Sequence, residues 1–231
     1  MCGRYTLTRA EARALQERFN VEHFSDTRIV PRFNAAPSQE MPVILSAGGS
    51  RNLEFFKWGL IPSWVKDLKK MKPMINARAE TIAEKPFFKG CLTRRRCLIP
   101  ADGFYEWKQQ ADGKGKVPMW IHRKDRGLFG FAGLWDQWAS PDGEVLRTYT
   151  VITTGANSAV AQVHDRMPVI LLPEAETTWL DQNVQDVAAL IGLLQPYPDD
   201  LIEMYPVSTK VNSVKWDSQE CVADVRGYSD R

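Results

Sequence analysis

FYEWK at residues 104–108 is followed by PMWIHR (118–123), LFGFAGLW (128–135) and RTYTVIT (147–153), with no helical pattern between these runs. Several of the runs alternate between apolar and polar residues, as half-buried strands do. Strands that follow one another without an intervening helix are typical of antiparallel sheets. The stretch therefore predicts an α+β fold around a curved, largely antiparallel sheet or open barrel with flanking helices. A doubly wound parallel sheet is the alternative that the pattern favours less.

The rest of the chain adds three strands and four helices to this prediction. Strands are expected at MPVILS (41–46), LEFFKW (53–58) and PVILL (168–172), and helices at about 9–19, 156–163, 174–180 and 183–194. The first helix is expected because the order Thr8, Arg9, Ala10, Glu11 has the form of a capping box. RFNAAPS (32–38) reads as a turn, because Asn34 and Pro37 flank small residues.

Length and composition favour one domain over residues 1–231. The chain has 231 residues, and no Gly/Ser-rich or Pro-rich linker, internal repeat or low-complexity tract divides it. The formal net charge is +2, which is close to neutral. Overall charge therefore does not indicate a nucleic-acid partner, and local clusters must carry that argument.

The cysteines and histidines are too scattered for a zinc site. Cys2, Cys91, Cys97 and Cys221 show no C-x-x-C spacing, and the three histidines lie far apart in the sequence. We expect no metal and no other cofactor, and we expect the three internal cysteines to be core residues. No stretch approaches the roughly 20 apolar residues of a membrane span, and no signal-peptide pattern follows the start. A reducing cytoplasmic setting without a membrane partner is therefore expected.

Cys2 stands directly after the initiator methionine, in the sequence MCGR. A cysteine near a terminus is often inert, and that is the simplest interpretation. If Met1 is removed, however, Cys2 carries a free α-amine beside its thiol. Their ordinary pKa values are about 7.7–8.0 and about 8.5, so both groups are partly deprotonated near neutral pH. Either group can then attack a carbonyl carbon.

Residues 58–80 combine aromatic and basic side chains. This stretch contains Trp58 and Trp64, four lysines at positions 66, 69, 70 and 72, and then Asn76 and Arg78. Cations that follow phosphates and rings that stack on bases suit single-stranded nucleic acid. The alternative is a solvated lysine face over buried tryptophans.

Two further residues are candidates for proton transfer or hydrogen bonding. Glu106 lies between two aromatic residues of a predicted strand and faces away from both. The pattern slightly favours a surface carboxylate, but a curved sheet would point Glu106 into a cleft, where it suits proton transfer. His164 lies at the end of a predicted helix, in HDRMP (164–168). It is either a hydrogen-bonded structural residue or a donor to a polar substrate.

Seven segments together resemble the SRAP family of abasic-site processing proteins. They are MCGR, FNAAP, WGLIPSW, INARAET, CLIPADGFYEW, HDRMPVIL and YPVSTKVN, which occur in the family's order and approximate spacing over nearly the whole chain. The resemblance implies a single SRAP-type domain. It also implies a substrate, which is an abasic site in single-stranded DNA whose sugar opens to an aldehyde.

The implied chemistry uses both nucleophiles of Cys2. The amine condenses with the aldehyde to an imine, and the thiol then closes a five-membered thiazolidine ring. The resemblance implies that the protein removes Met1 from itself, and that the crosslink can be reversed. Strand cleavage by β-elimination from the imine is a possible side reaction, and we expect crosslinking to dominate it.

The resemblance also implies a role for each site residue. Asn76 orients Cys2 and the sugar, Glu106 shuttles protons, and His164 hydrogen-bonds the sugar oxygen. Phosphate contacts are expected from Arg4, Arg78 and Arg166, and contacts that shape the DNA path from Asn34, Pro37 and Trp64. Val65 stands where some relatives carry a second tryptophan, so a preference for strand junctions stays open here. The expected partner is single-stranded DNA with abasic sites, with nucleoid association when bound; replication or repair proteins stay open as partners.

Two other function classes remain. Class II glutamine amidotransferases also begin with a processed MCG and use the terminal cysteine as nucleophile, although they normally continue with an aliphatic residue where Arg4 stands. A non-catalytic single-strand binder is the third interpretation, in which Cys2 has no role.

Overall fold

The computed structural model describes residues 2–27, 29–110 and 112–226. Over these residues the chain forms five α-helices and fourteen strands. The helices are α1 (Ala12–Phe19), α2 (Pro86–Arg94), α3 (Ser158–Ala161), α4 (Pro173–Leu180) and α5 (Val187–Gly192). The strands are β1 (Tyr5–Leu7), β2 (Val21–Phe24), β3 (Arg32–Ala35), β4 (Glu40–Ala47), β5 (Ser50–Trp58), β6 (Asn76–Arg78), β7 (Arg96–Ala101), β8 (Gly103–Gln109), β9 (Lys116–Arg123), β10 (Phe129–Ala139), β11 (Val145–Gly155), β12 (Arg166–Pro168), β13 (Ile170–Leu171) and β14 (Ile202–Pro206).

The larger of two sheets closes on itself. Its strands follow the order β12, β11, β10, β7, β4, β5, β2, and β11 also pairs with β5. That pairing closes β4, β5, β7, β10 and β11 into a five-stranded barrel. Antiparallel pairs predominate, with parallel pairs where β11 meets β5 and β6 and where β2 meets β5. The predicted fold class, α+β around a curved, mostly antiparallel sheet or open barrel, is confirmed.

The smaller sheet places the N-terminal strand in its interior. Its order is β14, β9, β8, β1, β3, so β1 is hydrogen-bonded on both sides. Tyr5 pairs with Phe104 of β8 and with Ala35 of β3. Since both edges of β1 are used, the residues immediately before it are held in a fixed position.

An aromatic core lies against β1. The ring of Tyr5 is 5.1 Å from Trp58 and 5.8 Å from Phe131 between centroids, and Trp58 stacks on Tyr149. All four side chains are buried. Aromatic pairs of this kind add to the free energy of burial and favour one arrangement of the rings. The three internal cysteines are buried too, which confirms that expectation.

All four predicted helices are present near their predicted positions. The predicted N-cap of the first helix is wrong, and one helix was not predicted. Helix α1 starts at Ala12 rather than near residue 9, and its N-cap Glu11 makes no side-chain cap bond. The capping-box interpretation is wrong, because Thr8 bonds to Asp102 instead. Helix α2 was not predicted, although Pro86 occupies a typical first-turn position. No helix in the described part of the chain is long and apolar enough to cross a membrane.

Two strand assignments also differ from the sequence prediction. Residues 32–35 form β3 rather than a turn, because they pair with β1. The predicted strand at 168–172 is two short strands, β12 on β11 and β13 on β10. Val169 lies between the two short strands. Its carbonyl oxygen accepts from the N–H of Ala132 on β10, and its N–H donates to the carbonyl oxygen of Ile152 on β11.

The carboxylate of Asp102 anchors the end of β1. It lies between β7 and β8, is buried, and accepts from the hydroxyl of Thr6 at 2.6 Å. It also accepts from the N–H and hydroxyl of Thr8 at 2.6 and 2.7 Å, and from the N–H of Arg9 at 3.0 Å. One side chain thus satisfies four donors where the chain leaves the sheet for α1.

We expect Asp102→Ala to lower the free energy of unfolding by about 3 kcal/mol. Hydrogen bonds to an ionised group are strong, and the variant leaves buried donors without an acceptor. Urea denaturation measures the change. The matched control is Asp112→Ala, an exposed loop carboxylate that accepts from the N–H of Lys114, with an expected loss of about 0.5 kcal/mol or less. Equal losses in both variants would contradict the anchoring role.

Candidate functional site

Four separate elements supply the four candidate catalytic side chains. Cys2 precedes β1, Asn76 is the first residue of β6, Glu106 lies within β8, and His164 precedes β12. Strand pairing brings these elements together in two groups. Because β6 and β12 lie on opposite edges of the C-terminal half of β11, Asn76 and His164 approach the same strand. Because β1 pairs with β8, the segment before β1 that carries Cys2 runs next to the strand that carries Glu106.

Asn76 holds the backbone of Cys2. Its Nδ2 donates to the Cys2 carbonyl oxygen at 2.9 Å. Its Oδ1 is buried and has no hydrogen-bond partner among the described residues. A buried amide oxygen without a donor is unusual and is an acceptor available to a ligand. The amide nitrogen of Asn76 can thus hold the Cys2 backbone while its oxygen accepts a hydrogen bond from a ligand.

The thiol of Cys2 is fully buried. Burial raises the pKa of Cys2, and the nearby Glu106 carboxylate raises it further. The Sγ atom lies 3.8 Å from the Arg4 carbonyl oxygen, its acceptor. The thiol is therefore protonated at neutral pH in this arrangement, and its use as a nucleophile requires a base. Met1, whose removal the sequence analysis predicts, lies outside the described residues.

Glu106 is buried, so the surface interpretation that the sequence slightly favoured is wrong. The reason is that the sheet is covered on both faces at this strand. On one face Tyr105 packs into a cluster with Trp120 and Tyr205. On the other face Glu106 is close enough to the Cys2 thiol to raise its pKa. A carboxylate beside a buried thiol is suited to moving protons to and from it.

Two groups next to His164 in the sequence lie against its ring. Its Nδ1 is 3.0 Å from the backbone nitrogen of Arg166 and 2.8 Å from the carboxylate of Asp165. The Arg166 N–H bonds to Nδ1 as an acceptor, whereas the carboxylate bonds to Nδ1–H as a donor. Nδ1 therefore serves one of these contacts at a time, according to which ring nitrogen carries the proton. The side chain is partly exposed, so the ring can reach a bound molecule.

Arg78 and Arg166 differ in what surrounds them. Arg78 is exposed and makes no hydrogen bond or ion pair with any residue in the described ranges. Arg166 donates from Nη1 and Nη2 to both carboxylate oxygens of Glu80, at 2.6 and 2.9 Å, and from Nη2 to the Thr153 carbonyl at 2.8 Å. Of these two arginines, Arg78 is the one without a hydrogen-bond or ion-pair partner in the described part of the chain.

Trp64 is 57% exposed and lies at an apolar groove. Its ring is 5.3 Å from that of Phe87, between centroids. A cavity of about 450 Å³ lies beside the two rings, lined also by Val65, Lys66, Asp67, Lys70 and Met71. Trp58, by contrast, is buried in the core, so the two tryptophans of the segment at 58–80 have different surroundings. An exposed ring next to lysines matches the single-strand pattern seen in the sequence.

Arg4 and Asn34 form a network that holds the C-terminal part of the chain. Arg4 Nη1 donates to Asn34 Oδ1 and to the Val211 carbonyl, both at 2.8 Å, and Nη2 donates to the Asn212 carbonyl at 3.3 Å. Asn34 Nδ2 donates to three carbonyls, the nearest that of Trp216 at 2.7 Å. Burial lowers the pKa of the Arg4 guanidinium.

Asn34 has no exposed surface, so the expectation that it contacts DNA is corrected. Its amide is used entirely to join β3 to residues 211–216. Arg4 is half-buried with three internal acceptors, and Pro37 is half-buried in the turn that follows β3. Of the six predicted DNA contacts, Trp64 and Arg78 are the exposed ones.

Two tyrosines near Cys2 were missed by the sequence analysis. The hydroxyls of Tyr5 and Tyr149 lie 2.8 Å apart in the core that includes Cys2. Burial raises the pKa of both groups. Both hydroxyls therefore stay protonated, and their contribution to stability is present below the ordinary tyrosine pKa of about 10 and is lost above it. No sequence pattern announces this pair, since 144 residues separate the two tyrosines.

A family model, two relatives and a solved structure each match most of this chain. Residues 1–214 match the family model described as SOS response associated peptidase (SRAP). The abasic site processing protein YoqW of Bacillus subtilis is 48% identical over 223 residues, covering 96% of this chain and 99% of that one. The abasic site processing protein HMCES of Gallus gallus is 35% identical over 266 residues, covering 97% of this chain and 78% of that one. A solved structure of a Bacteroides thetaiotaomicron protein superposes with a TM-score of 0.81 at 29% identity, covering 90% of this chain and 93% of that one.

We expect the contributions of the Tyr5 and Tyr149 hydroxyls to the free energy of unfolding to depend on each other, because the two groups share a hydrogen bond. Tyr5→Phe and Tyr149→Phe should each lower the free energy of unfolding by about 1–2 kcal/mol, because each leaves a buried hydroxyl without its partner. The double variant should cost about 1 kcal/mol less than the sum of the two. Urea denaturation of the four proteins closes the cycle, and additive losses would show that the hydroxyls do not depend on each other.

Proposed function

The chain belongs to the SOS response associated peptidase (SRAP) family, and we propose that it processes abasic sites in single-stranded DNA by capturing the open sugar covalently through Cys2. One observation carries the proposal. The Asn76 amide holds the Cys2 backbone at 2.9 Å, while the Glu106 carboxylate is near enough to act on the Cys2 thiol. A terminal aminothiol, a fixed backbone and an adjacent proton carrier are what this chemistry requires.

The first proposed step is removal of Met1. Water adds its oxygen to the Met1 carbonyl carbon, the Met1–Cys2 amide breaks, and the leaving nitrogen takes a proton. Glu106 is suited to relay that proton, because it is buried and its charge acts on the Cys2 thiol. The carbonyl that Asn76 binds belongs to Cys2 and is not the one attacked. Asn76 therefore positions Cys2 and does not activate the amide.

Capture of the sugar follows in two steps. The Cys2 amine attacks the aldehyde carbon, and the aldehyde oxygen leaves as water to give an imine. The thiol sulfur then adds to the same carbon, and its proton passes to the nitrogen, which closes the thiazolidine ring. Because burial and Glu106 keep the thiol protonated, this transfer needs a carrier, and Glu106 is placed to be one. Reversal runs through the same groups in the opposite order.

His164 and the exposed side chains complete the proposal. His164 is partly exposed just before β12, and we assign it to hydrogen-bond the oxygen of the opened sugar. Arg78 is assigned to a phosphate next to the lesion, and Trp64 to a base that stacks on its ring. Arg4 and Arg166 are also proposed to contact phosphates, and Pro37 to shape the DNA path; both arginines are bonded within the protein in this structure.

The central test is the intact mass of the protein with and without an abasic single-stranded oligonucleotide. We expect loss of Met1 and then a species whose mass is that of the processed protein plus the oligonucleotide minus one water. Cys2→Ala should form no adduct, whereas Cys91→Ala, a matched core cysteine, should form it normally.

Three results would contradict the proposal. An adduct with Cys2→Ala would show that another group reacts. A cleaved strand without any adduct on a denaturing gel would make β-elimination the reaction. Glutamine hydrolysis without capture of abasic DNA would favour the amidotransferase interpretation.

A second prediction isolates the proton carrier. We expect Glu106→Gln to retain Met1, or to reverse a preformed crosslink at least about 100-fold more slowly, because a carboxamide cannot relay a proton. Intact mass and a timed release assay measure the two effects. Glu203→Gln on β14 is the control and should behave as the wild type. Full Met1 removal together with normal release in Glu106→Gln would refute the assigned role.

A further inference from the structure

The ion pair between Glu80 and Arg166 occupies the face of the guanidinium that a phosphate would use. Nη1 and Nη2 each donate to one oxygen of the Glu80 carboxylate, at 2.6 and 2.9 Å. This is the bidentate geometry in which arginine binds either a carboxylate or a phosphate. Nη2 is also bonded to the Thr153 carbonyl. A DNA phosphate can take the same two donors only if the carboxylate leaves them.

One residue of this ion pair is packed against the sheet, and the other is largely in contact with water. The side chain of Arg166 is 14% exposed, because β12 lies against β11, whereas that of Glu80 is 50% exposed. Arg166 is therefore the fixed member and Glu80 the member that can swing into water. Arg166 also lowers the pKa of the Glu80 carboxyl, so the carboxylate stays charged at neutral pH.

Glu80 acts on a second arginine as well. Arg78, two residues before it, is exposed and contributes to lowering the pKa of the Glu80 carboxyl. One carboxylate thus reduces the positive potential of both arginines that flank the end of β11. Lower positive potential weakens the sequence-independent attraction to any DNA backbone.

We propose that Glu80 is a specificity-determining residue that competes with DNA phosphates for Arg166, so that intact single strands bind weakly and retention depends on covalent capture at Cys2. The inference rests on the proposed function, since it assigns DNA to this surface. A protein that traps a rare lesion gains from weak binding to the undamaged strand, which is present in large excess. The alternative is that Glu80 only positions Arg166, and that alternative predicts the opposite change in affinity.

The test measures binding of a fluorescent single-stranded oligonucleotide without an abasic site, by anisotropy at several salt concentrations. Glu80→Gln should bind about 3- to 10-fold more tightly near 0.1 M salt, a gain typical of removing one competing charge. The slope of log affinity against log salt should steepen by about 0.7, which corresponds to one more phosphate neutralised. The matched control is Glu84→Gln, an exposed carboxylate four residues away, with an expected change below about twofold.

A double-mutant cycle shows whether the effect passes through Arg166. In the presence of Arg166→Gln the gain from Glu80→Gln should fall below about twofold, because the contested donors are then absent and only the effect on the potential at Arg78 is left. Weaker or unchanged binding by Glu80→Gln would overturn the proposal, and so would an equal gain with Arg166→Gln. The proposed function is judged separately, by whether the wild-type protein forms an adduct with an abasic oligonucleotide.

Discussion

The carboxylate of Asp102 keeps the N-terminal strand inside a sheet, and the candidate site depends on that placement. Chain termini are commonly loose because few contacts hold them. Here four hydrogen bonds to Asp102 fix the far end of β1, and strand pairing on both sides fixes its middle. Cys2 is three residues before this strand, so its position is determined by the core. The bond from Asn76 then has a defined carbonyl to reach.

The same placement creates a chemical difficulty. A buried thiol next to a carboxylate is a poor nucleophile, because both burial and the negative charge favour the protonated form. The arrangement suits a reaction in which the amine attacks first and sulfur adds second, since sulfur then delivers its proton to nitrogen as it bonds. A thiolate formed before the sugar binds would react more readily with oxidants and with other electrophiles. Burial of Cys2 therefore agrees with the proposed order of steps.

The sequence predicts the fold where the pattern is local and fails where tertiary contacts decide. Several of the runs between residues 104 and 153 alternate between apolar and polar residues, and the four runs lie in β8 to β11. Residues 32–35 carry turn-forming residues, yet they form β3 because β1 offers an edge to pair with. The alternation of residues along β8 correctly predicted that Glu106 faces away from its two aromatic neighbours. It did not show whether other residues cover the face of the sheet on which Glu106 lies. Likewise FNAAP identified Asn34 as a candidate without indicating that its amide serves the protein itself.

Arg4, Arg78 and Arg166 show that a charged residue in a motif is not always available at the surface. Arg4 donates to Asn34 of β3 and to the carbonyls of Val211 and Asn212, which ties the segment before β1 to residues 211 and 212. Arg166 is bonded to Glu80, and Arg78 is bonded to no described residue. An arginine without an internal ion pair is more readily available to a polyanion, since an ion pair must be broken before its arginine can bind a phosphate. The net positive charge near β11 is therefore smaller than the motifs suggest, because Glu80 and Arg166, which form an ion pair there, are 86 residues apart in the sequence.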